Sequence, residues 1–258
     1  MDTTFALIVV VLAVLAIWLL VARSRGAKQQ RVEDAKAEAR RWVERLGGQV
    51  MNLTGTDEAS KQAMADASER YTAAGAQMDQ ANTVEQCKLV TKTALEGLYY
   101  VRAARTAMGL DPGPELPVDR EQREAGEVTE DRSVSVDGHD YRASKRPGSG
   151  TPHYYPGGRV AGRPVPQGWY SEPWWKPALV AGAWGVGSLL LFDAMFSGMH
   201  GIPSADAWSD GYTAGQEDAM ADTGGGDGGG DYGGGDMGGD FGGGNFGGDF
   251  GGGDFGGF

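Results

Sequence analysis

The chain has 258 residues, with 23 basic and 35 acidic side chains, a net charge of −12 and one cysteine. A single cysteine excludes an internal disulfide, and the charge excludes a broadly basic nucleic-acid-binding surface. The imbalance is local. No Lys or Arg follows Lys176, whereas twelve acids lie between Asp193 and Asp254, so the preceding part carries 23 charges of each sign.

After a short polar start (1–4), residues 5–22 (FALIVVVLAVLAIWLLVA) are eighteen uncharged and mostly apolar residues. As a helix they extend about 27 Å, close to the thickness of a bilayer's hydrocarbon core. Asp2 precedes the run, and Arg23, Arg25, Lys28 and Arg31 follow it. Basic residues sort to the cytoplasmic side, so the pattern reads as an uncleaved anchor with its N-terminus outside. The four cations are candidates for contact with anionic lipid headgroups.

Residues 27–110 read as an Ala-rich antiparallel helical bundle, hairpin or coiled coil. Val32, Ala35, Ala39, Trp42 and Leu46 form one stripe, with Gly47-Gly48 as the expected stop. A second helix runs from about 57 to 80, with Thr54 or Thr56 as its N-cap. A third begins at an Asn82/Glu85 capping box and ends near Gly109. With so many alanines the core is thin, which points to a protein partner or to self-association. Cys87 lies on the apolar stripe and reads as a core residue.

Residues 111–151 read as a linker, with a short hairpin at 133–141 around Asp137-Gly138. Residues 152–177 contain prolines, glycines and the aromatics Trp169, Tyr170, Trp174 and Trp175. They read as a turn-rich juxtamembrane element, with those four aromatics as a candidate interaction surface. Residues 178–198 form a weaker second span, in which Gly182, Gly185 and Gly187 are candidate helix-packing positions and Asp193 lies near the outer interface.

A polar segment (199–223) leads into an acidic Gly/Phe-rich tail (224–258), whose composition implies disorder and which is a candidate for contact with the cell envelope. The DFG triplets in the tail lack the other kinase motifs. The three histidines are scattered, so no metal site is expected. No nucleophile–base pair or phosphate loop appears either, so the expectation is no catalytic residue, no cofactor and no enzyme activity.

Four segments together carry a resemblance: RRWVERLGGQVMNLTGTDEASKQAMADASERY (40–71), ALEGLYYVRAARTAMGLDPGPELP (94–117), PHYYPGGRVAGRPVPQGWYSEPWWKPALVAGAWG (152–185) and the GGGDFGGF end. The chain resembles a group of uncharacterised actinobacterial membrane proteins, sometimes labelled as carrying a DUF1542-type helical domain. The resemblance implies no catalytic or binding residue. The Gly-rich end is also similar in composition to tails of TPM-domain membrane proteins, whose fold has no counterpart in the sequence.

The expected fold is thus mainly α: an anchor helix, a helical bundle, a second membrane helix and a disordered tail. The expected localisation is the plasma membrane, with two spans, both termini outside and residues 23–177 in the cytoplasm. The expected function is a non-enzymatic membrane scaffold acting through its cytoplasmic helices. The alternative is a lipid- or small-ligand-binding membrane accessory protein that uses the aromatic segment.

Overall fold

The computed structural model describes residues 3–185 and 187–207. Three long helices form one layer: α1 (Thr3–Asn52), α2 (Glu58–Gln80) and α3 (Val84–Ala107). Helix α1 runs through the expected stop at Gly47-Gly48. There Gly47 accommodates a neighbour rather than ending the helix, since a Cβ on it would meet the Tyr71 ring at 2.8 Å. The caps also differ by a residue or more from expectation. Asp57, not Thr54 or Thr56, caps α2 in a reciprocal box with Ser60, and Thr83 with Gln86 does the same for α3. In each case the N-cap oxygen and the third helical residue satisfy backbone donors that a helix start leaves unpaired.

The rest of the chain corrects the mainly-α expectation. Residues 111–119 lie along α3: Leu116 is buried, and the Tyr99 hydroxyl donates to the Pro117 carbonyl at 3.3 Å. A short helix, α4 (Arg120–Ala125), leads into β1 (Arg132–Val136) and β2 (His139–Ser144). Asp137 and Gly138 join these strands with φ of 53° and 80°, the left-handed backbone of the tight turn that suits strand twist. Then follow β3 (His153–Tyr155), β4 (Gly158–Val160), β5 (Arg163–Val165) and β6 (Gly168–Tyr170). The main sheet is antiparallel in the order β1-β2-β6-β3, and β4-β5 forms a separate two-stranded ribbon.

Strand alternation explains the whole arrangement. Successive side chains on a strand point to opposite faces. Tyr154 and Trp169 therefore enter the helical core beside Leu46, Leu98 and Tyr100. Their neighbours Tyr155 and Tyr170 enter a second core on the other face of the sheet. The bulk that the Ala-rich helices lack comes from β3 and β6 of the same chain.

The second core is closed by α5 (Lys176–Ala181) and α6 (Ser188–Phe196). Leu191, Phe192, Met195 and Phe196 of α6 are buried against the sheet, while Asp193 on the same helix is exposed. These two helices occupy the expected second span, 178–198, and they are separate. Gly182 ends α5 at φ 68° and Gly187 precedes α6 at φ 95°. A Cβ at Gly182 or Gly185 would meet nothing within 4 Å. Gly182 and Gly187 thus turn the chain, and neither they nor Gly185 serve as small-residue contacts between membrane helices.

Among the described residues, no helix is long and apolar enough to cross a membrane. The backbone of 5–22 belongs to α1, and most of its side chains lie outside the described residues. The two-span plasma-membrane topology, with 23–177 cytoplasmic and both termini outside, does not hold. The integral-membrane scaffold and the membrane-accessory alternative, both built on that topology, fall with it. What replaces the anchored bundle is a four-stranded antiparallel sheet between two helical layers. The tail from residue 208 onward, with its expected disorder and envelope contact, lies outside the described residues.

Candidate functional site

Between α3, α4 and the β3–β4 turn lies a cleft of about 360 Å³. One face of α3 forms its long wall. Lys88, Thr91, Lys92, Leu95, Glu96 and Tyr99 repeat at i, i+3 and i+4, which aligns them along a single helix face. Helix α4 closes one side through the Asp119/Gln122 capping box, and the Gln122 side-chain amide donates to the Pro156 carbonyl at 3.1 Å. The opposite wall is Tyr155-Pro156-Gly157-Gly158-Arg159, with Gly157 at φ 81°. Only glycine adopts that backbone without strain.

Inside the cleft Arg70 of α2 pairs with Glu96 at 3.1 Å, and both side chains remain a little over a quarter exposed. The pair is enclosed between the helices and the sheet, yet it opens into the cleft. Burial raises the Glu96 carboxyl above its ordinary pKa, an effect that Arg70 and Lys92 only partly offset. For Arg70, burial acts to lower the pKa, but Glu96, Tyr100 and Tyr155 together outweigh it and the net shift is upward. Tyr155 is raised by burial and, to a lesser degree, by Glu96, so its phenol stays neutral. Nearer the rim, Lys92 contacts Glu121 and lies 4.0 Å from Asp119. Arg159 donates to the Gly162 carbonyl at 3.0 Å and pairs with Glu124 at 3.3 Å.

Apolar surface from Leu95, Tyr99, Pro117, Tyr155, Pro156 and Leu179 lines the space between these charges. An apolar cavity with a few fixed polar groups is the usual form of a small-molecule site. The charged groups are mostly paired with one another, and the phenols are held neutral. That arrangement can orient a ligand; it does not pair a nucleophile with a base.

The residues singled out from sequence are placed elsewhere. Trp169, Tyr170 and Trp175 are buried in the two cores, with at most 3% of their surface exposed, so they support the sheet and present no shared interaction surface. Trp174 is half-buried at the edge of the second core. Arg23, Lys28 and Arg31 are exposed on α1, and the Arg25 side chain lies outside the described residues. Without the membrane topology, their assignment to lipid contact has no basis. Cys87 is buried between α3 and α1. Sequence reasoning missed Arg70, Lys88, Lys92, Glu96, Tyr99 and Arg159. The one available signal was the charged stripe Lys88-Lys92-Glu96, continued by Tyr99, on the α3 face opposite the Ala-rich stripe, which reads as a solvated face until α4 covers it. Among the described residues no cluster of His, Cys, Asp and Glu fit to hold a metal ion occurs. No family model, curated protein or solved structure matches the chain.

Proposed function

We propose that the chain is a non-catalytic binding protein whose α3–α4–β4 cleft takes a small, partly apolar acid. The observation that carries this reading is the Arg70–Glu96 pair, held inside an apolar-walled cleft of about 360 Å³ and still open to it. Four cations and three acids line the space, so charge slightly favours an anion. Lys88 supports the same sign, because among the described residues it forms no ion pair, whereas Lys92 is already engaged. A carboxylate at Lys88 and Thr91 would place an apolar body against Leu95, Tyr99 and Tyr155. The paired charges would fix its orientation without reacting with it.

The test is titration of the full chain with benzoate, hexanoate and their uncharged alcohols, followed by NMR shifts of the α3 amides. Saturable shifts at residues 88–99 are expected for the acids only, with the ligand recovered unchanged. Lys88→Ala should weaken binding about tenfold, the effect of a lost charge-assisted hydrogen bond of ~1.4 kcal/mol. Leu95→Trp should abolish binding by filling the space. Equal binding of acid and alcohol, or shifts unchanged by both substitutions, would contradict the reading.

A further inference from the structure

On the opposite side of the sheet from α3, a second hollow of about 520 Å³ lies where the β1–β2 turn, the β6–α5 connection and the α5–α6 turn meet. It owes nothing to the cleft above. Four rings line it: His139 and Tyr141 from β2, Trp174 after β6, and Trp184 between α5 and α6. Two carboxylates, Asp137 and Glu172, join them. From this combination we propose that the hollow binds an organic ammonium cation, with methylated ammonium groups as the preferred class.

The rings are fixed by their neighbours. Trp184 donates its indole N–H to the Val160 carbonyl at 2.9 Å, and its ring centroid lies 5.6 Å from that of Trp174 at an interplanar angle of 39°. His139 contacts Glu172 and packs edge-on to Tyr141 at 4.7 Å. A preset arrangement matters because ordering side chains on binding costs affinity. The Trp174 indole N–H is buried without an acceptor among the described residues, and the ring itself lines the hollow.

The charges point to a cation. Asp137 is held in the left-handed turn conformation at φ 53°, and its Oδ2 lies 3.7 Å from where a Gly187 Cβ would be. Its carboxylate therefore lies against the start of α6 at the lining of the hollow. Asp137 makes no ion pair among the described residues, and Glu172 meets only His139. The one lysine on the lining, Lys176, lies 3.5 Å from Asp66 of α2, so its charge is engaged outside the hollow. Burial raises the Tyr141 phenol, with smaller contributions from Glu172 and Asp137.

Tryptophan and tyrosine faces attract cations through their quadrupoles, most effectively when the cation is weakly hydrated. A methylated ammonium gives up its water readily and offers apolar methyls to the rings, while Asp137 supplies the counter-charge. A metal ion finds no matching site, because among the described residues the acids and histidines do not gather into a ligand set.

The experiment titrates the full chain with tetramethylammonium, choline and 3,3-dimethylbutanol, the last being an uncharged analogue of choline with the same shape. Tryptophan fluorescence and NMR shifts at residues 137–141 and 184–188 report binding. Saturable binding of both cations is expected, with that of the neutral analogue at least tenfold weaker. Asp137→Asn, on an exposed turn that Asn also tolerates, should weaken cation binding about tenfold and leave the fold intact. Trp184→Ala should weaken it further. Should the neutral analogue bind as well as choline, the hollow is simply an apolar pocket. Should Asp137→Asn leave cation affinity unchanged, the carboxylate has no part in it. Either outcome, or no saturable binding, overturns the proposal. None of these results bears on acid binding at Lys88, which is read at different amides.

Discussion

Lys176 Nζ lies 3.5 Å from Asp66 Oδ1, joining the start of α5 to the middle of α2 across 110 residues of sequence. Burial nevertheless raises the Asp66 carboxyl above its ordinary pKa, since Lys176 and Gln62 offset only part of the desolvation. The sign of the pH dependence follows. The folded state keeps this proton at a pH where the unfolded chain has released it, so ionisation of Asp66 lowers stability. The loss begins near the unfolded value of 3.8 and is complete above the raised folded value. In paired urea unfolding curves, the stability difference between Asp66→Asn and the unsubstituted protein should move in favour of the variant as pH rises through that window, and then level off. A difference moving the other way would mean that the Lys176 pair outweighs burial.

At Gly97, α3 packs tightly against side chains of both α1 and α2. A Cβ there would meet Leu46 Cδ2 at 2.5 Å and the Arg70 Cβ at 3.1 Å. Gly97→Ala should gain helix propensity but lose more to overpacking, for a net destabilisation of about 1–3 kcal/mol. Because Arg70 moves with it, binding of a small acid in the cleft should weaken as well. Denaturant midpoints and the benzoate titration check the two effects separately.

Ala161 turns the β4–β5 ribbon with φ 45°, a conformation that costs an L-residue roughly 1–2 kcal/mol. Ala161→Gly relieves that strain and adds about 0.4–1 kcal/mol of unfolded-state entropy. The net expectation is a stabilisation of about 0.5–1 kcal/mol in urea unfolding. A destabilised variant would show that the Ala161 methyl contributes more through packing than its backbone loses through strain.

Phe192 is almost fully buried against the sheet, with its ring centroid 4.9 Å from that of Phe196. Phe192→Ala should therefore cost about 3–5 kcal/mol, the usual penalty for emptying an aromatic site in a core. Leu190→Ala, on the exposed side of the same helix, should cost under about 0.5 kcal/mol. Equal effects of the two substitutions on thermal unfolding would contradict the assignment of α6 as a one-sided core helix.

The parts of the fold legible in sequence were those whose signal is local. The stripe through Ala39, Trp42 and Leu46 marks α1, and Asp137-Gly138 marks the turn between β1 and β2, because both depend on neighbours in the chain. The three-residue strands β3 and β6 were not legible. Tyr154-Tyr155 and Trp169-Tyr170 are consecutive apolar pairs because both faces of the sheet are covered, which erases the polar–apolar alternation of a half-exposed strand. The same long-range packing made residues 178–198 read as a membrane span: apolarity does not distinguish burial in lipid from burial against a sheet. For the cleft, the 88-92-96-99 stripe was visible, but only the docking of α4 and the Pro156-Gly157 turn turns it into a cavity.

Strand β6 lies between two helical layers, so that neighbouring side chains of one sheet reach opposite cores. Ring-to-ring nuclear Overhauser effects in the full chain, with selectively labelled Tyr and Phe, test it most directly. Cross-peaks are expected between Tyr170 and Phe196, whose centroids are 6.3 Å apart, and between Tyr154 and Tyr100 at 6.0 Å. No cross-peak should join Tyr170 to Tyr100. If Tyr170 shows no contact with α6 while the Tyr154–Tyr100 contact persists, the second layer is not packed on the sheet and the account fails.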